Sequence, residues 1–64
     1  MNIEEEILKI LKNQKAATIS ALMNRLGLSQ ISVERALRSL QRKGLAERAP
    51  NWIGWRAAKD GKNV

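Results

Sequence analysis

The chain contains no cysteine and no histidine. Without cysteine no disulfide can cross-link it and no thiolate can hold zinc. Without histidine it lacks the commonest general base and the commonest metal ligand. Phenylalanine and tyrosine are missing too, which leaves two tryptophans as the aromatic side chains. No long apolar run is present, so nothing is expected to span a bilayer and nothing resembles a signal peptide. The expected location is therefore cytoplasmic, nucleoid-associated if the source is bacterial. Ser20, Ser29, Ser32 and Ser39 have no histidine to activate them, and Glu34, Glu47 and Asp60 are scattered. These absences argue against an enzyme, and no cofactor, metal or small-molecule substrate is expected.

What is present is base. Twelve Lys and Arg outnumber six Asp and Glu, for a net charge of +6. Such a balance favours a polyanionic partner. The charge is uneven. Glu4, Glu5 and Glu6 cluster at the start, so residues 1–8 carry −3 and no base, while residues 9–64 carry twelve bases and three acids. One end should repel an anion that the rest attracts. A hydrophobic share of 44% in 64 residues suits one small folded domain, which buries only about 60% of its unfolded surface. That domain is expected over residues 1–58, with 59–64 a frayed tail.

Apolar periodicity predicts three helices. The first runs from Ile3 to Lys12, with Asn2 and Glu5 placed as a capping box. Ala16 and Ala17 leave room for a very short strand. Thr18 caps a second helix over 19–26, which Gly27 closes. Ser29 caps a third helix over 30–43, ending at Gly44. The three residues Gly27, Leu28 and Ser29 make the tight joint of a helix-turn-helix. Beyond Gly44, residues 45–48 and 52–57 read as a β-hairpin turning at Ala49, Pro50 and Asn51. Alternation puts Ile53, Trp55 and Ala57 on one face and Trp52, Gly54 and Arg56 on the other.

The third helix carries the functional reading. Val33, Ala36, Leu37 and Leu40 form its core stripe. On the far side, measured from Val33, lie Arg38 at about 140°, Ile31 at about 160°, Arg42 at about 180° and Arg35 at about 200°. Ser32 and Ser39 flank this row on one edge and Glu34 on the other. An α-helix fits the major groove of B-DNA, and Arg bonds bidentately to guanine or phosphate. Hydroxyls at the helix start suit phosphate, and Gln30 is able to read adenine. Ile31 is open to a thymine methyl, a protein partner or packing against the turn. In the hairpin, Arg48 and Arg56 are placed to straddle a phosphate, with Asn51 and Trp52 near the tip. Trp52 is equally open to lying across the hairpin as a shield. Trp55 is expected in the core.

The stretch TISALMNRLGLSQISVERALRSLQRKGLAER closely resembles the winged helix-turn-helix family, through Thr18, Leu22, Leu26, Gly27, Leu28, Ser29, Val33, Leu37, Leu40, Gly44 and Leu45. The resemblance covers residues 3–57. It implies an α+β, mostly helical fold of three helices and a two-stranded wing, with the third helix for recognition and 45–57 as the wing. It also implies that Ser29, Gln30, Ser32, Arg35 and Arg38 stand where members commonly touch DNA. A narrower likeness to Z-alpha domains, binders of left-handed nucleic acid, stops at Glu34 and Arg38, where those domains carry Asn and Tyr. Their wing also has a proline pair, where this chain has the single Pro50. The expected function is a small sequence-specific DNA-binding regulator, working with a second copy or a partner protein. The alternative is a protein-interaction module without direct DNA contact.

Overall fold

The computed structural model describes residues 2–50 and 52–58. Asn51 and the expected tail over 59–64 lie outside the described residues. The first helix, α1, spans Ile3–Asn13, one residue longer than the periodicity predicts. Asn2 caps it: its Oδ1 accepts from the Glu4 N–H at 2.9 Å. Three glutamates in the first turn and Lys12 in the last suit the helix dipole. Ile7 and Leu11 are its buried residues.

The second helix, α2, spans Ile19–Leu26, capped by Thr18 Oγ1, which accepts from the Ala21 N–H at 3.1 Å. Gly27 closes it at φ 67°, a left-handed conformation that glycine adopts at least cost. Its N–H donates to the Met23 carbonyl at 2.8 Å. The third helix, α3, spans Gln30–Arg42, with Lys43 as its C-cap. It thus ends one residue before the expected limit, and Gly44 continues at φ 77°.

Two short strands follow, β1 over Ala46–Arg48 and β2 over Trp55–Ala57. They pair antiparallel in the register Ala46↔Ala57, Glu47↔Arg56 and Arg48↔Trp55. The expected extra strand is reduced to a single bridge. Ala17 N–H donates to the Trp55 carbonyl at 2.9 Å, and Trp55 N–H donates to the Ala17 carbonyl at 2.8 Å. Trp55 is therefore held from both sides, by Ala17 and by Arg48.

The hairpin departs from expectation at both ends. Leu45 lies outside β1 and is partly exposed, and β2 begins at Trp55 instead of Trp52. The cause is a closed loop: Ala49 N–H donates to the Gly54 carbonyl at 2.9 Å, and Trp52 N–H to the Ala49 carbonyl at 3.4 Å. This curl breaks the alternation. Ile53, expected inside, is 78% exposed, while Gly54 is buried. A Cβ on Gly54 would lie 2.6 Å from Trp52 Cε3 and 2.8 Å from the Ala17 carbonyl oxygen. Only glycine lets the strand pass under the Trp52 ring this close to Ala17.

α3 touches α1, α2 and β1, and the core gathers on its inner side. Ile7, Leu11, Leu22, Val33, Leu37 and Leu40 are almost completely buried, with Ala36, Ala46 and Trp55 around them. Each of the six large aliphatics contributes about 1.5–3 kcal/mol by leaving water. The predicted stripe of α3 is the observed one. No described helix is long and apolar enough to cross a membrane.

Candidate nucleic-acid interface

The core stripe fixes which side of α3 faces outward, but its two flanks meet different neighbours. On one flank the helix and the hairpin enclose a cleft of about 520 Å³. α3 supplies Glu34, Arg38, Gln41 and Arg42; the hairpin supplies Arg48, Ile53 and Trp55. Three guanidinium groups from two elements thus line one concave surface. Arg48 shares the Trp55 face of the hairpin through the register, and its guanidinium carbon lies 5.8 Å from the Trp55 ring centroid. That is within cation–π range, so the buried indole orients the arginine without cancelling its charge. Arg38, Arg42 and Arg48 make no ion pair with any carboxylate among the described residues.

Glu34, the acid on this edge of the arginine row, is engaged with a neighbour on its own helix. Its Oε2 accepts from Gln30 Nε2 at 2.8 Å. At the start of α3, Ser29 Oγ accepts from the Ser32 N–H at 3.3 Å and donates to Ser32 Oγ at 3.1 Å. Ser29, Gln30 and Ser32 are exposed or half-buried there, beside the first amides of the helix. Ile31 is 65% exposed.

The other flank of α3 meets the acidic first turn of α1. Arg35 and Ser32 border a shallow groove with Asn2, Ile3, Glu4 and Glu5. The Lys43 Nζ donates to Glu4 Oε1 at 2.8 Å. The hydrogen bond from Lys43, and a second from Ser39, hold the Glu4 carboxyl below its usual pKa. Ser39 is half-buried on this flank, beside Glu4. The acidic start of the chain lies against the end of α3, and it does not form a separate remote pole.

In the wing, Arg48 and Arg56 do not straddle a common phosphate, because the register sends them to opposite faces. Arg56 donates from Nε to Glu47 Oε2 at 2.6 Å, with Nη2 2.5 Å from the same oxygen. Trp52 covers Gly54 yet stays 51% exposed. Asn51, the other candidate at the tip, lies outside the described residues. Sequence reasoning did not place Gln41 or Ile53 in the site. Gln41 is legible only once the wing is known to pack beside it, and Ile53 was assigned inward by an alternation that the loop interrupts.

No curated protein and no solved structure matches the chain. A protein-family model described as MarR family matches residues 4–51, a span that takes in the acidic turn of α1, all of α2 and α3, and β1. Members of that family bind DNA as regulators, are not enzymes, and usually dimerise. The match runs through all three helices and most of the chain, and the hairpin completes the expected wing; the chain belongs to the MarR family of winged helix-turn-helix DNA-binding proteins.

Proposed function

We propose that residues 1–58 form a sequence-specific reader of duplex DNA that regulates transcription in the cytoplasm. α3 lies in the major groove and the wing rests on the flanking backbone. One observation carries this reading: Arg38, Arg42 and Arg48 converge on one cleft from two elements, with no carboxylate paired to any of them among the described residues. A solvated helix face would ordinarily carry interspersed acids within reach of its arginines. Here Glu34, the acid on that flank, is bonded to Gln30 instead.

The division of labour follows from chemistry. Arg38 and Arg35, nearer the start of α3, suit base edges, and Arg42 and Arg48 suit phosphate. Ser29, Ser32 and the first amides of α3 take a phosphate at the helix N-terminus. Trp52 and Asn51 contribute at the margins, whereas Arg56 is paired to Glu47 and Ser39 lies on the α1 flank. Phosphate neutralisation supplies most of the affinity, so binding falls steeply with salt. A reader this small covers few base pairs and gains specificity from a second copy on a second half-site.

Selection of bound sequences from a random duplex pool, followed by a salt titration of the winner, tests the proposal. The expected log–log slope is about −5 for five or six phosphate contacts. Failure to retain any duplex in a salt-sensitive manner, with heparin as competitor, refutes it. That result favours the second reading, a protein-interaction module, for which exposed Ile31, Trp52 and Ile53 speak. Sedimentation with and without the duplex reports whether a second copy joins.

A further inference from the structure

We infer that Ile31 reads the C5-methyl group of a thymine in the major groove; the inference rests on the proposed docking of α3. Ile31 is the second residue of α3 and is 65% exposed. It falls in the outward row, at about 160° between Arg38 and Arg42. The N-terminal residues of a recognition helix are the ones that meet base edges. At that end the polar side chains are already engaged with one another. Ser29 is bonded to Ser32, and Gln30 to Glu34. Ile31 is left facing outward, an aliphatic side chain 65% exposed.

The complementary chemistry is narrow. Base edges in the major groove present hydrogen-bond donors and acceptors, and a single apolar group, the thymine methyl. An aliphatic side chain on the row that enters the groove gains only by covering that methyl. It also loses little on doing so, because a β-branched residue in a helix is held close to one χ1 rotamer. Ile53 is more exposed still, but it sits in the wing loop beside the cleft and is not placed on the entering row. The expected half-site therefore carries a thymine on the 5′ or 3′ flank of the guanines read by the arginines.

The test uses the full chain and the duplex it selects from a random pool. Each thymine is replaced in turn by deoxyuridine, which removes the methyl and leaves every hydrogen bond. Wild-type affinity is expected to fall about four-fold at one position per half-site, the worth of one methyl-sized group withdrawn from water. At that position Ile31→Ala binds the thymine and uracil duplexes equally, with its salt slope unchanged, while Ile31→Val retains part of the preference. Indifference of the wild type to every replacement overturns the inference, as does an unchanged thymine preference in Ile31→Ala. In either case, salt-sensitive binding leaves the docking of α3 standing. Absence of binding to every duplex brings down both. Circular dichroism of Ile31→Ala is expected to match wild type, since the side chain supports no core contact.

Discussion

The two flanks of α3 carry arginines of the same helical row into opposite electrostatic settings. Facing the wing, Arg38 and Arg42 join Arg48 around a cleft with no ion pair among the described residues. Facing α1, Arg35 borders Glu4 and Glu5, and Lys43 is held by Glu4. Their angular positions differ by less than a fifth of a turn, yet their neighbours differ in sign. A helix face is therefore not one electrostatic surface. What packs beside it decides which of its cations remain available to an outside anion.

Removal of the wing-side cations is expected to have the largest effect. Arg38→Ala with Arg42→Ala should weaken specific duplex binding by about 2–5 kcal/mol if one base and one phosphate contact are lost. The salt slope should shrink by about 0.9 for each phosphate released. Arg35→Ala should cost less than half as much, because Glu4 and Glu5 beside it already oppose the approach of a polyanionic duplex on that flank. Titration of one labelled duplex with the three proteins decides the matter. Equal losses from Arg35→Ala and from the combined Arg38→Ala and Arg42→Ala would erase the distinction between the flanks.

The cleft exists only while the wing stands opposite α3, and Gly54 sets that position. Gly54→Val should destabilise the domain by about 1–3 kcal/mol, through overpacking against the Trp52 ring and the Ala17 carbonyl. The two tryptophans report the event directly: their fluorescence should shift as Trp52 is displaced and the Ala17–Trp55 bridge loosens. Chemical denaturation measures the stability, and a midpoint unchanged from wild type would mean that the loop adapts without moving the strand.

Much of this arrangement is legible in the sequence, and the boundary is instructive. Thr18, Gly27 and Ser29 announce their caps because capping is local: a short polar side chain or a left-handed glycine acts within three residues. Val33, Leu37 and Leu40 announce the core by period alone. The hairpin resisted for the opposite reason. Its alternation depends on where the loop closes, and the bonds between Ala49, Trp52 and Gly54 cannot be counted from composition. Once β2 starts at Trp55, Arg48 falls on the cleft side and Arg56 opposite Glu47. A register fixed three residues late sorts the two wing arginines into different roles.

That sorting is open to a direct comparison of smaller size. Arg48→Ala should lower duplex affinity by about 1 kcal/mol, one phosphate contact's worth of salt-sensitive binding. Arg56→Ala should change it by less, because Glu47 already neutralises that guanidinium. It should leave stability nearly untouched as well, since exposed pairs contribute little. A larger loss from Arg56→Ala would show that the duplex approaches the other face of the wing.

The smallest effect concerns the acidic flank itself. Glu4 links α1 to the end of α3, and its hydrogen bonds from Lys43 and Ser39 hold its pKa below the ordinary 4.5. A carboxyl whose pKa is lower in the folded than in the unfolded chain stabilises the fold above its unfolded pKa. That stabilisation fades as pH falls through the lowered folded value. Wild type should therefore melt slightly above Glu4→Gln at pH 7, and the gap should close in acid. Meanwhile Glu4→Gln should bind duplex DNA somewhat more tightly at pH 7, because Lys43 is released and Arg35 loses a negative neighbour. Screening shrinks that gain as salt rises. Thermal melts across pH paired with duplex titrations at two salt concentrations test both halves. Unchanged affinity alongside a lowered melting temperature would make the acidic turn a structural clamp that lies too far from the DNA to oppose it.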